Sequence, residues 1–191
     1  MQKKRSLPKM LWEIVKVQFY SLIVCSIIMF SATFLLEYKL GIVFLQVLNL
    51  VISAGIVYAT FWYEGDREKN FVQFGRMEPD LLWGLKAGLA GMLIPMATMI
   101  MLLVAKAINL PDLIVYYKLV NPQISMLINL FVPSLDPAKI SVLDLILTAA
   151  LYLYIPIAST AGYLLGYHRI SVSEKMIYVD KNKKKDTKKN K

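Results

Sequence analysis

LGIVFLQVLNLVISAGIVYATFWY, residues 40–63, runs for 24 positions without an Asp, Glu, Lys or Arg. About 20 such residues carry a helix across a hydrocarbon core, so the stretch reads as a transmembrane helix. Working outward, three more uncharged runs appear: 17–36 with 20 residues, 87–105 with 19 and 145–167 with 23. The expected fold is an all-α, integral membrane four-helix bundle, because only internally satisfied backbones survive in lipid.

Composition agrees. The 191 residues are 57% apolar and 18% charged, against roughly half and a quarter in soluble domains. The longest connection between runs, 106–144, is far short of the 100 or so residues of a typical globular domain, so a separate soluble catalytic domain is excluded. Cys25 is the only cysteine and lies inside the first run, which rules out an intramolecular disulfide or a cysteine metal cluster. That run follows Lys3, Lys4, Arg5 and Lys9, as a signal peptide would, but it exceeds the 7–15 residues of an h-region and lacks a small-x-small cleavage site.

Basic residues set the expected orientation. All of the Lys and Arg except Lys39, Lys106, Lys118 and Lys139 precede the first span, join spans two and three, or follow span four. Positive charge is retained in the cytoplasm, so both termini belong there. Trp12, Trp62 and Trp83 all fall at span ends assigned to the inner interface, where amphipathic rings anchor. The segments expected are a basic cytoplasmic N-terminus over 1–16, transmembrane helices at 17–36, 40–63, 81–107 and 142–167, and a charged cytoplasmic loop at 64–80. An external loop at 108–141 and a basic disordered cytoplasmic tail at 168–191 complete the chain. The tail holds much of the +9 net charge. It serves as a topology signal and, near a surface, attracts anionic headgroups at roughly 1 kcal/mol per basic residue. Nucleic acid is not expected as a partner.

Glu37-Tyr38-Lys39 alone joins the first two runs, which therefore form a tight antiparallel hairpin. In the second span Gln46, Asn49 and Ser53, with Thr60 a heptad on, occupy one helix face that should avoid lipid. The 64–80 loop reads as a short helix capped by Asp66 and stopped by Gly75, with Phe71 and Phe74 on its apolar side and Arg67 and Arg76 among its charges. Two uses stand: a solvated connection, or a docking segment for a cytoplasmic partner.

The third span carries Gly84, Gly88 and Gly91, and the fourth Ser159, Gly162 and Gly166, small-residue strips suited to close helix contact. Lys86 and Lys106 flank the third span and should snorkel to headgroups. Pro95 and Pro156 each sit at mid-span, where they remove a donor, free the carbonyls of Gly91 and Tyr152, and kink the helix. The external connection contains Ile124 to Val132 between Pro122 and Pro133, too short to cross. One or two short interfacial helices are expected there, or a segment that dips in and returns if protein shields its backbone.

Catalytic constellations are missing. His168, the only histidine, adjoins Arg169 at a helix end without companions, no serine sits in a Gly-x-Ser-x-Gly frame, and Asp144 is the only acid seen near a span. No metal or cofactor is expected, and the leading expectation is a non-catalytic accessory or scaffold subunit of a membrane complex. Its partner would be another membrane or cytoplasmic protein, or further copies of the chain. The alternative is a small transporter or channel component whose polar site of Gln46, Asn49 and Ser53 faces the Pro-kinked helices. Interhelical hydrogen bonding alone would also explain that stripe.

Overall fold

The computed structural model describes residues 6–132 and 135–170, so the first five residues and all but 168–170 of the basic tail lie outside it. Four helical stretches are long and apolar enough to cross a membrane: Pro8–Ser31, Lys39–Gln73, Trp83–Ile108 and Val142–Tyr167. No strand occurs among the described residues.

Helix α1 (Leu7–Ser31) opens on Pro8, whose missing N–H costs nothing in a first turn. It is one continuous helix, so residues 7–16 belong to the first long stretch and do not form a separate entry turn. A 3-10 turn (Thr33–Glu37) and extended Tyr38 then lead into α2 (Lys39–Gln73). The reversal is tight enough that a Cβ at Gly41 would collide with the Leu35 carbonyl.

At 35 residues, α2 extends about 52 Å, well beyond the 30 Å or so of a hydrocarbon core. The expected boundary at Tyr63, followed by a separate capped helix, is therefore corrected. Glu64, Arg67, Glu68 and Lys69 are good helix formers, and nothing between Tyr63 and Gln73 interrupts the ladder. Asp66 caps nothing; it lies inside the helix. The helix stops in a Schellman turn, with Gly75 at φ +64°, its N–H on the Val72 carbonyl and the Arg76 N–H on that of Phe71.

The third stretch is broken into α3 (Trp83–Thr98) and α4 (Ile100–Ile108), the fourth into α7 (Val142–Leu151) and α8 (Tyr154–Tyr167). In the fourth, Pro156 acts on the turn before it. The Tyr152 carbonyl is not left free, however, because the Ile155 N–H takes it at 3.0 Å. In the third, α3 runs through Pro95 and breaks at Met99, where the Thr98 hydroxyl donates to the Pro95 carbonyl at 2.6 Å. α7 begins with a capping box, Ser141 Oγ accepting from the Asp144 N–H and Asp144 from the Ser141 N–H.

Asn109, left-handed at φ 54°, ends α4 and turns the chain back. Helix α5 (Asp112–Val120) then packs against α4, burying Ile114 and Tyr117 against Leu102 and Ala105. α6 (Ser125–Phe131) returns after the turn 121–125. The turn between these two short helices reaches in among the longer ones. The Asn49 Nδ2 approaches the Pro122 carbonyl at 3.5 Å, ten residues or about 15 Å along α2 from Lys39. The pair is a helical hairpin whose tip packs among the longer helices, meeting Asn49 of α2 and Thr98 of α3. Its backbone polarity is absorbed there: Asn121 Nδ2 takes the Tyr117 carbonyl, and Ser125 Oγ that of Pro122.

Helix α8 is central, packing on α2 along one side and α3 along another, while α1 contacts α2 and α3. The end carrying Trp12, Trp62 and Trp83, called here the tryptophan end, is tied together by polar contacts. Trp62 Nε1 donates to the Ile170 carbonyl at 2.9 Å, and Arg169 Nε meets Asp66 Oδ1 at 3.0 Å. At the opposite end the exposed Lys106 ends on protein, its ammonium donating to the Ile140 carbonyl at 2.6 Å.

Candidate functional site

Both helix breaks and the tip of the inserted hairpin fall at one level, and polar side chains collect there. Tyr117 and Tyr152 pair their hydroxyls at 2.8 Å; Tyr152 donates to Asn121 Oδ1 at 3.0 Å; Asn121 Nδ2 donates to Thr98 Oγ1 at 3.0 Å; and Thr98 passes its proton to the Pro95 carbonyl. This chain links α7, the hairpin and α3, with every donor directed at an acceptor. A fully satisfied buried network of this kind fixes geometry. A second chain joins α1, α2 and α8: Ser21 donates to Ser53 at 2.6 Å, and Ser53 lies 2.8 Å from the Tyr154 hydroxyl.

The stripe on α2 is buried, with Gln46, Asn49 and Ser53 all turned inward, while half-buried Thr60 bonds its own helix at the Ile56 carbonyl. Ser53 is engaged; the other two are not fully used. Asn49, 2% exposed, has no partner for Oδ1, and Gln46 none for Nε2. On the hairpin tip Gln123, 4% exposed, has none for Oε1. Orphaned buried amides are uncommon in natural proteins, and here Asn49 and Gln123 fall at one turn with Gln46 three residues away along α2.

Beside that turn lies a cavity of about 260 Å³, walled by α1 (Gln18, Phe19, Leu22), the Pro95–Thr98 break and the hairpin tip (Asn121, Gln123). A second, of about 100 Å³, occupies the tryptophan end between α1 and the extension of α2, with Lys9, Glu13, Glu64 and Phe71 in its wall. Glu68 is buried beside it and accepts from the Tyr163 hydroxyl. The sequence-level view of Asp144 as the only acid near a span is corrected accordingly, since continuation of α2 turns Glu68 inward onto α8. Among the described residues no group of three or more His, Cys, Asp or Glu side chains is placed to hold a metal.

The small-residue strips face definite partners. A Cβ at Gly84 would fall 2.6 Å from Tyr163 Cβ and one at Gly88 would strike Ser159 and Pro156, while Ser159 Oγ donates to the Gly84 carbonyl at 3.0 Å. Gly91 faces Ile14 of α1 at 3.0 Å and Ile155 of α8 at 3.4 Å. Gly162 and Gly166 lie against the Tyr58 and Trp62 carbonyls of α2, and Gly65, not singled out from sequence, completes that crossing against Tyr163 and Tyr167.

The 64–80 residues separate. Arg67 pairs with Glu64 and Asp66 with Arg169, while Phe71 lines the smaller cavity. Phe74, 72% exposed with the Arg76 guanidinium 5.8 Å from its ring centre, faces outward, and Arg67 and Arg76 are exposed as well. Tyr117, Asn121, Tyr152 and Thr98 escaped sequence reasoning because they come from three separate elements. The one available signal was Asn121-Pro122-Gln123, a polar turn between apolar flanks.

No family model, no curated protein and no solved structure matches this chain.

Proposed function

We propose that the protein is a multi-pass cell-membrane protein, both termini cytoplasmic, that works as a small transport or channel component through its mid-depth polar centre. The partition of Lys and Arg supports the orientation, since the tryptophan end carries the basic segments. One observation carries the functional reading: Asn49 and Gln123 keep unpaired buried amide atoms where α2 meets the hairpin tip, and Gln46 keeps another one helical turn away on α2. Packing alone accounts for the satisfied chains. It gives no reason to bury three amides short of partners, each at a cost of about 1–3 kcal/mol. Broken helices and an inserted hairpin are also how membrane proteins expose polar groups at mid-depth.

The second reading, a non-catalytic accessory subunit, is favoured by Phe74, an outward aromatic on a helix that outruns the bilayer. Native mass spectrometry of the protein released from its own membranes separates the two. A bound small molecule, kept by wild type and lost in Asn49→Leu, supports the transport reading. A stoichiometric protein partner lost in Phe74→Glu, with no small molecule in either sample, replaces it by the accessory one.

A further inference from the structure

The 260 Å³ cavity differs in character from the polar chains beside it. Its mouth lies on the outer surface of α1 and α3, where Val15, Phe19 and Ile94 are exposed, so in a bilayer it opens sideways to the acyl chains. It is wider than the roughly 150 Å³ apolar cavity that suffices for benzene. Its lining contains no Asp, Glu, Lys or Arg, and its neutral polar groups are Gln18, Thr98, Asn121 and Gln123. Thr98 and Asn121 are bonded to each other at 3.0 Å, and of the two remaining amides Gln18 is half-buried, whereas Gln123 Oε1 is buried and unpartnered, the acceptor that gains most from a donor.

We infer that this cavity receives an uncharged lipid bearing a free hydroxyl, which enters laterally between α1 and α3 and donates to Gln123. The inference rests on the transport reading and names its substrate class. Charge selects the headgroup: a phosphate here would have no cation to meet and an ammonium no carboxylate, so ordinary phospholipids are refused on desolvation grounds. Position selects the rest, because the polar wall sits at mid-depth while the mouth is apolar. The occupant therefore presents one hydrogen-bonding group ahead of an apolar body.

The test uses the full-length protein in nanodiscs with two diazirine lipids of identical chains, a dioleoylglycerol and a dioleoylphosphatidylcholine. Adducts are mapped by peptide sequencing. Labelling of 15–22 and 94–98 should be at least fivefold stronger with the glycerol probe, be competed by unlabelled dioleoylglycerol, and fall at least fivefold in Gln123→Leu. Val15→Trp, which fills the mouth from an exposed position, should lower it equally and covers a failure of Gln123→Leu to fold. Equal labelling by both lipids, or glycerol labelling indifferent to both substitutions, overturns the inference. If the native protein still retains some other small molecule, the transport reading survives that result; if it retains none, both fall together.

Discussion

Asn49 and Asn121 are both asparagines buried in an apolar setting, yet their surroundings assign them opposite energetic roles. Asn121 accepts from Tyr152 and donates to Thr98 and to the Tyr117 carbonyl, so its loss leaves the buried Tyr152 hydroxyl without its acceptor and Thr98 Oγ1 without its donor. Asn49 makes one long contact at 3.5 Å and leaves Oδ1 unused. Asn121→Leu should therefore destabilise the protein by about 1–3 kcal/mol. Asn49→Leu should cost below about 0.6 kcal/mol, the average for a hydrogen bond between membrane helices. Equilibrium unfolding in mixed micelles measures both, and equal costs would remove the distinction between structural network and available site. Of the two, only Asn49 was legible beforehand, because i, i+3, i+7 spacing within one uncharged run exposes a polar face. Asn121 joins its partners across 23 and 31 residues of sequence, and no periodicity reports that.

The four long helices were legible as elements because the bilayer imposes a length and an absence of charge that sequence displays directly. Their ends were less so. Charged residues at 64–69 suggest an end to α2 in the sequence, but charge marks only where a helix leaves lipid; its termination needs Gly75. The hairpin α5–α6 was legible only as two alternatives, since nine apolar residues are equally compatible with an interface and with insertion once other helices shield the backbone. Glycine spacing identified close-contact strips but not their partners, and the geometry now ranks them. At Gly166 a Cβ has only the Trp62 backbone to meet, whereas at Gly55 nothing lies within 4 Å. Gly166→Leu should lose about 1–3 kcal/mol by forcing α2 and α8 apart. Gly55→Ala should be neutral or slightly stabilising, helix propensity favouring alanine by roughly 1 kcal/mol. Thermal unfolding of the two variants in detergent checks the ranking, and comparable losses would mean that the α2–α8 crossing is not held by backbone contact.

For the whole molecule the governing asymmetry is charge. The four lysines outside the basic segments are Lys39, Lys106, Lys118 and Lys139. Two have structural roles that account for their presence at that end: Lys106 holds the Ile140 carbonyl and Lys118, at 3.0 Å, that of Val132. The other basic residues among those described lie on segments at the tryptophan end, and the proposed orientation puts that end in the cytoplasm by retention of positive charge. Two exposed positions test this, Phe74 beyond α2 and Leu135 between α6 and α7. In a Cys25→Ala background, a membrane-impermeant maleimide applied to intact cells should label Leu135→Cys at once and Phe74→Cys only after lysis. The native cysteine is fully buried and bonded to the Asn49 carbonyl, so its removal leaves both surfaces unchanged. Labelling in the reverse order would invert the molecule and put Phe74 outside the cell. The accessory reading would then lose its cytoplasmic partner, whereas a lateral cavity at mid-depth, reached from the bilayer, would remain usable in either orientation.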